Sequence, residues 1–164
     1  GQFAGFTELL TADADVTDVA AVGGGVTAAN VIAQIGAVVD AIGSSLYTSE
    51  DMFIYVSQNV ARAYTRALGG FGAAGLGGAG TQWYNGGGLM FDGVKIAAAN
   101  GLADNTMVAA EKSNLYFGCG LLNDEQEVKV LDMSDIDGSQ NVRIVMRFSC
   151  GVNYGIGSEI ILYS

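Results

Sequence analysis

The sequence NVRIVMRFSCGVNYGIGSEIILYS, residues 141–164, decides the fold of this chain. Its first half alternates, and the apolar side chains that share one face are Val142, Ile144, Met146, Phe148 and Cys150. Arg143, Arg147 and Ser149 fall on the opposite face. A period of two is typical of a half-buried β-strand. The glycine-bounded segment 151–155 has the composition of a turn, so the pattern predicts two antiparallel strands joined there.

The composition predicts a chain with more apolar surface than it can bury alone. Its 164 residues suit one domain, or two small lobes that share a core. Half of the residues are hydrophobic and 15% are charged, against roughly 25% in average proteins. No apolar run reaches the ~18 residues of a membrane helix. We therefore expect no membrane partner, and the surplus apolar surface favours a subunit interface.

Charge and residue types argue against an enzyme and against a nucleic-acid reader. The net charge is −10, with seven Lys and Arg and no His, so the clustered cations that phosphate contacts need are lacking. Without His, Ser-His-Asp, Cys-His and two-His zinc sites cannot form. No spacing of carboxylates or lysines indicates a catalytic pair. The sequence thus predicts a non-enzyme with no cofactor, no metal and no sequence-specific nucleic-acid partner.

Two cysteines, Cys119 and Cys150, are too few for a disulfide scaffold. Both lie in apolar, strand-like contexts, which favours buried thiols, with a bridge between them as the alternative. The absence of a signal-peptide pattern favours a cytoplasmic origin. The chain begins Gly-Gln-Phe without Met and contains no proline. Both features suggest a piece of a longer protein.

Two helices are predicted in the first half of the chain. Residues 27–43 carry one apolar stripe, with Thr27 placed as the N-cap and Gly43 at the usual end of a helix. The apolar run 52–56 predicts a buried strand. A second helix follows it directly, with Ser57 as its cap.

The second helix is expected to stop at Gly69, where a glycine-rich segment begins. Residues 69–88 hold ten glycines, and Trp83 and Tyr84 are among the few large side chains there, so a long loop is predicted. Further strands are expected at 89–97, 106–109, 114–118 and 126–132. Helices early in the chain and antiparallel strands late predict the α+β class.

Two motif matches are better explained by composition. The stretch 75–80 fits G-x-G-x-x-G, but a dinucleotide site needs a strand before the motif and a helix at its last glycine. Asp132, Asp135 and Asp137 precede Gly138 in the manner of a calcium loop. That loop needs an acidic side chain where this chain has a methionine, and its final Glu is missing. An acidic turn between strands is the better interpretation.

A combination of features near the C-terminus resembles a known family. An acidic turn at 132–137 precedes a strand that contains Arg143 and Arg147, then an aromatic-glycine turn and a final apolar strand that bears a Glu. The stretch 114–118 reads Asn-Leu-Tyr-Phe-Gly. These features are similar to the end of tailed-phage major capsid proteins, which have the Hong Kong 97-type shell fold.

The resemblance implies an architecture of a long spine helix plus antiparallel sheets. Residues 1–50 would hold an N-terminal loop and the spine helix of a peripheral domain. Residues 51–138 would form an axial domain that contains the glycine-rich loop, and 139–164 would be terminal strands that return to the peripheral domain. Only 26 residues precede the predicted helix at 27–43. The N-terminal arm and extended loop of the family are therefore expected to be missing.

The resemblance also implies a function. The chain would be a structural protein that self-assembles through pentamers and hexamers into an icosahedral phage or prophage shell around double-stranded DNA. It would belong to a virion assembled in the bacterial cytoplasm, with portal, scaffold or maturation protease as further partners. The candidate subunit-interface residues are Trp83, Tyr84, Arg143, Arg147, Asp135 and Asp137.

The sequence allows more than one interpretation of the arginine face and of the function. The arginine face is either a solvated sheet face with its stems packed flat, or a set of ion-pair donors to a neighbouring subunit. The function is either that of a phage shell or that of an encapsulin-type compartment shell. A surface-layer or adhesin subunit is the third possibility.

Overall fold

The computed structural model describes residues 4–47, 49–73, 88–119, 127–134, 138, 140–147 and 150–164. Its helices are α1 (Phe6–Ala12), α2 (Val31–Asp40) and α3 (Gln58–Ala73). Its strands are β1 (Thr17–Val19), β2 (Met52–Val56), β3 (Leu89–Phe91), β4 (Val94–Ala98), β5 (Met107–Glu111), β6 (Leu115–Cys119), β7 (Glu127–Asp132), β8 (Val142–Arg147), β9 (Cys150–Tyr154) and β10 (Ile161–Tyr163). The chain is a mixed α+β protein, which confirms the predicted class.

Six strands form the central sheet, in the order β1-β10-β5-β2-β4-β3. β5 runs antiparallel to both of its neighbours, β10 and β2. β1 with β10 and β2 with β4 are parallel pairs. The remaining strands form two separate ribbons, β6 with β9 and β7 with β8. The last strand of the chain therefore lies inside the main sheet, between β1 from the start of the chain and β5.

The central sheet is covered on both faces. On one face α2 and α3 pack against it, and the side chains there that have no exposed surface include Val31, Ile35, Val38, Ile54, Val56 and Val60. On the other face Leu10 of α1 packs with Val108 and Leu162. β5 is buried on both sides, since Met107 belongs to the first cluster and Val108 to the second.

The first predicted helix is shorter than its apolar stripe. α2 begins at Val31 and ends at Asp40, so both predicted ends, Thr27 and Gly43, are wrong. Asn30 is the N-cap residue, and its Oδ1 accepts a hydrogen bond of 2.7 Å from the backbone N–H of Thr27. The polar side chain that orders this turn therefore lies three residues later than the sequence suggests.

The second predicted helix begins where expected and ends later. α3 starts directly after Ser57, whose hydroxyl donates to Asn59 Oδ1 at 2.6 Å. The helix passes through Gly69 and ends at Ala73. Glycine inside a helix costs only about 1 kcal/mol relative to Ala, so it weakens a helix without ending it. The remainder of the predicted loop, 74–87, lies outside the described residues.

Residues 89–97 form two strands rather than the single strand predicted. β3 and β4 pair antiparallel around Asp92 and Gly93, whose φ angles are +47° and +85°. Two consecutive residues with positive φ are what a type I′ hairpin turn requires, and Asp-Gly is a preferred pair for it. This signal was present in the sequence.

The predicted C-terminal hairpin is wrong. Residues 151–154 belong to strand β9, which pairs with β6 so that Leu115 lies opposite Tyr154. β8 pairs instead with β7, and β10 enters the central sheet. The chain turns after Tyr154, where Asn114 Oδ1 accepts the backbone N–H groups of Gly155 and Ile156 at 3.0 and 2.8 Å.

In the described part, none of the helices combines the length and the apolar character that crossing a bilayer requires. The division into regions 1–50, 51–138 and 139–164 stays a prediction. The helices α2 and α3, assigned by that division to different regions, contribute to one hydrophobic cluster.

Candidate subunit interface

The ribbon of β7 and β8 is built differently from the rest of the protein. The two strands pair over six residues each, from Glu127 opposite Arg147 to Asp132 opposite Val142. Within the described residues, the only element that either strand packs against extensively is the other. We call this ribbon the distal hairpin, because it stands apart from the covered central sheet.

One side of the distal hairpin is apolar and open to solvent. Residues directly opposite each other in an antiparallel pair share a face, and the apolar members of this one, with their exposed fractions, are Val128 (54%), Val130 (65%), Val142 (62%), Ile144 (64%) and Met146 (64%). Monomeric proteins rarely expose contiguous apolar patches larger than a few hundred Å², and such patches mark interaction sites. We call this surface the apolar hairpin face.

The opposite side of the distal hairpin carries cations. Lys129, Arg143 and Arg147 make up three of the chain's seven basic residues, and all three alternate with the apolar set. Arg143 is exposed and lies across from Leu131. Arg143 and Arg147 both belong to β8, and their role at an interface stays a prediction.

At the start of the turn of the distal hairpin, the Asp132 carboxylate is held by a hydrogen bond. Asp132 Oδ1 accepts the backbone N–H of Ser134 at 3.0 Å, and this hydrogen bond lowers the pKa of the Asp132 carboxyl below its usual value. Four predicted interface residues lie outside the described residues, namely Trp83, Tyr84, Asp135 and Asp137. The acidic turn itself therefore stays a prediction.

The ribbon of β6 and β9 joins the distal hairpin to the core. At its inner end, Leu115 and Tyr154 pack against the cluster that contains Leu10. Tyr154 also donates a hydrogen bond of 2.6 Å to Asp13 Oδ2. This hydrogen bond lowers the pKa of Asp13 and raises that of Tyr154. We call this ribbon the neck.

Asn114 anchors the neck and was missed as a site residue. It is 6% exposed, its Nδ2 donates to the Ile156 carbonyl at 2.8 Å, and its Oδ1 accepts two backbone N–H groups. A Cβ added to Gly155 would lie 2.9 Å from Asn114 Oδ1, so the turn also needs glycine there. The available signal was an Asn at the first position of the strand predicted at 114–118.

The two cysteines meet at the outer end of the neck. Cys119 and Cys150 are directly opposite each other in the β6–β9 register. Cys119 is exposed and Cys150 is half-buried, so the predicted burial is wrong for Cys119. The neck leaves the core over its length, as the 65% exposure of Phe117 also shows. An apolar strand context therefore did not mean burial.

Elsewhere the described surface offers little chemistry. An open cleft beside β4 is lined by Tyr47, Glu50, Asp92 and Lys95. The Lys95 ammonium lies 5.4 Å from the centroid of the Phe53 ring and 3.4 Å from the Glu50 carbonyl. The described residues contain no group of three or more His, Cys, Asp or Glu side chains that could hold a metal ion.

Comparison with known proteins finds likeness in structure and none in sequence. No protein-family model and no curated protein matches the chain. A structure from Mycobacterium phage Che8 superposes with a TM-score of 0.68 at 16% identity, covering 91% of this chain. A satellite phage P4 procapsid that includes a size-determination protein gives a TM-score of 0.61 at 9% identity and 98% coverage. A virus-like particle from Pyrococcus furiosus gives 0.52 at 10% identity and 96% coverage.

These likenesses define the fold. The chain shares the α+β architecture of subunits from a phage, a phage procapsid and a virus-like particle. It spans about half of the length of each, namely 53%, 51% and 58% of the three chains.

Proposed function

We propose that this chain is the shell-forming part of a major capsid protein with the Hong Kong 97-like fold. In this role it tiles a closed icosahedral shell around double-stranded DNA. The observation that carries the proposal is the apolar hairpin face, present on a fold shared with a phage procapsid and a virus-like particle. A protein whose work is assembly needs such a face, because burying it drives association.

The distribution of charge favours a second copy of this chain as the partner that binds the distal hairpin. β7 and β8 carry three cations and two acids, whereas the whole chain has a net charge of −10. The remainder of the chain is therefore more acidic than the distal hairpin. Attraction between the basic side of one hairpin and the acidic body of a neighbour favours encounter in one orientation. The apolar hairpin face lies on the opposite side of the hairpin, so it is buried against a further neighbouring surface, and that burial supplies most of the stabilisation.

Such a contact joins two different surfaces, the hairpin of one copy and the body of the next. Repeated contacts of this kind close into rings when the rotation between copies allows it, which suits pentamers and hexamers. In the proposal Trp83, Tyr84, Asp135 and Asp137 lie at the same contacts. The peripheral and axial division, the missing arm and loop, the portal, scaffold and protease partners and the location in the virion belong to the same proposal.

The test is electron microscopy of the full-length gene product that contains this chain, expressed with any scaffold it requires. Closed shells or uniform rings of five or six subunits are expected from the natural sequence. Arg143→Glu is expected to abolish shells while the protein stays folded by circular dichroism, because it places an acid against an acidic neighbour. Flat lattices or filaments would contradict the proposal.

A matched control separates local from general charge effects. Lys112→Glu makes the same charge change at an exposed cation outside the distal hairpin, and shells are expected to form normally. Normal shells from Arg143→Glu would remove the arginine face from the interface. Loss of shells from both variants would mean that net charge, rather than the hairpin, governs assembly.

One observation supports a second candidate, a compartment shell of the encapsulin type. The similarity to a virus-like particle extends over 96% of this chain. The two functions differ in what the shell holds. Shells purified from the natural source would contain double-stranded DNA in the first case and protein cargo in the second, which nuclease protection and mass spectrometry of the contents distinguish.

A further inference from the structure

The neck holds two thiols at the separation that a disulfide needs. Cys119 and Cys150 are direct cross-strand partners. Directly opposite residues in an antiparallel pair have Cα atoms about 4.5–5.5 Å apart, depending on whether the pair is hydrogen-bonded. Disulfides join Cα atoms about 4.4–6.8 Å apart. Either kind of pair therefore falls within the range.

The adjacent residues allow the backbone to adjust. The next pair along the neck is Gly118 opposite Gly151, and a Cβ added to Gly118 would have no neighbour nearer than 4.0 Å. Two glycines side by side leave both strands free to alter their local twist. This freedom helps the cross-strand pair to reach the dihedral angle near 90° that a disulfide prefers.

A covalent link between these two cysteines would close the chain segment that contains the distal hairpin. The thirty residues between Cys119 and Cys150, 120–149, include both strands of the distal hairpin. On the core side, the neck is fixed by Asn114 and by the hydrogen bond from Tyr154 to Asp13. On the far side, β7 and β8 pack extensively only against each other among the described elements.

We propose that Cys119 and Cys150 form an intramolecular disulfide that closes the neck of the distal hairpin. The exposed Cys119 sulfur is the accessible partner for a small-molecule disulfide such as oxidised glutathione. Its thiolate attacks that disulfide, forming a mixed disulfide and releasing one glutathione thiol. The Cys150 thiolate then displaces the second glutathione thiol. The protein loses two protons and two electrons, and the oxidised glutathione is reduced to two thiols.

The bond is a property of the fold and does not depend on the proposed function, so shell formation and disulfide formation are tested separately. The first measurement is intact mass after the purified, reduced protein is equilibrated with oxidised glutathione. A species lighter by two hydrogens, with a peptide linking Cys119 to Cys150, is expected. Glutathione adducts on both cysteines, or dimers linked between chains, would overturn the proposal.

The second measurement tests whether the fold brings the thiols together. The equilibrium constant for oxidation in glutathione buffers is expected to be at least about tenfold larger in native buffer than in urea, because the unfolded chain must close a long loop by chance. A ratio near one or below it would overturn the proposal, since the native neck would then not favour the bond.

A register-shifted variant provides the matched control. In Cys150→Ser with Val152→Cys, both thiols stay on one face of the neck, but they become diagonal neighbours about 7–8 Å apart. Separations above ~7 Å are not bridged without backbone movement. The native-to-urea ratio is therefore expected to fall at least about tenfold relative to the natural pair. An unchanged ratio would show that the β6–β9 register is not the cause.

Discussion

Two regions of this protein are built from the same kind of strand and have opposite fates. Side chains point alternately to the two faces in β2 and in β8, and each strand contains an isoleucine near its centre. Ile54 in β2 has no exposed surface, whereas Ile144 in β8 is 64% exposed. The difference lies in what covers each strand, since β2 sits between two layers, whereas the only described element that β8 packs against extensively is β7. Alternation therefore specifies which side chains share a face, and the tertiary fold decides whether that face is buried.

The largest effect that would test this comparison is truncation of the two isoleucines. Ile54→Ala is expected to lower the free energy of unfolding by about 3 kcal/mol, because it removes buried methyl groups and leaves a cavity. Ile144→Ala is expected to lower it by less than about 0.5 kcal/mol in the dispersed protein, as for other exposed sites. Urea denaturation followed by circular dichroism measures both.

The same pair of variants also connects stability to assembly. Equal losses of unfolding free energy would mean that the apolar hairpin face is covered within a single chain, which would contradict its proposed role. Under the proposal, Ile144→Ala weakens shells or rings of the full-length protein although it hardly changes the stability of the subunit. Ile54→Ala has the reverse pattern wherever the protein remains folded.

A second contrast compares two asparagines at the neck. Asn114→Ala is expected to cost about 2 kcal/mol, because the Ile156 N–H and the Ile156 carbonyl lose their side-chain partner in a largely buried turn, while the Gly155 N–H keeps only the Asn114 backbone carbonyl at 3.1 Å. Asn153→Ala changes an exposed residue of β9 and is expected to change stability by less than about 0.5 kcal/mol. Urea midpoints at constant slope give the two values.

If Asn114→Ala proved neutral, the neck would not be fixed at its inner end by this side chain. Hydrogen exchange at the backbone N–H of Ile156, whose acceptor is Asn114 Oδ1, gives an independent measure. Protection of this group is expected to fall in Asn114→Ala and to stay unchanged in Asn153→Ala.

The pattern of apolar and polar residues predicted several strands and the α+β class, because such a pattern reports on neighbours along the chain. β2, β7, β8 and the start of α3 all followed from alternation, apolar runs or a polar residue before a helix. Strand partners did not follow. The segment 151–155 was predicted as a turn because Gly151 and Gly155 bound it, but residues 151–154 belong to β9, whose partner β6 lies about thirty residues earlier in the sequence. Pairing across such a distance leaves no mark within a short window.

The candidate site was predicted in part for the same reason. The arginine face follows from the period of β8 alone, so Arg143 and Arg147 could be identified. The apolar hairpin face could not, because alternation in a sequence is read as half-burial, and only the tertiary structure leaves this face open. The opposed cysteines also required the register of two strands from distant segments.

The smallest effect concerns pH and the inner end of the neck. The hydrogen bond from Tyr154 lowers the pKa of Asp13, with a further contribution from the Asp15 backbone N–H. A carboxyl whose folded pKa is depressed adds stability above its unfolded pKa, near 4, and loses that contribution as the pH falls through the folded value. Tyr154→Phe is therefore expected to raise the pKa of Asp13 part of the way to normal, as NMR titration of the carboxyl would measure.

The alkaline side gives the complementary expectation. The Asp13 hydrogen bond raises the pKa of Tyr154, so this phenol adds stability below its usual value near 10 and loses that contribution as the pH rises through the folded value. The control for Tyr154→Phe is Tyr116→Phe, on the partner strand of the neck. This control is expected to leave the Asp13 titration unchanged. An Asp13 pKa that moved equally in both variants would mean that the general environment of the neck, rather than this one hydrogen bond, sets it. The neck would then be held to the core by Asn114 and apolar packing alone, and the contrast between an anchored inner end and an open outer end would rest on those contacts.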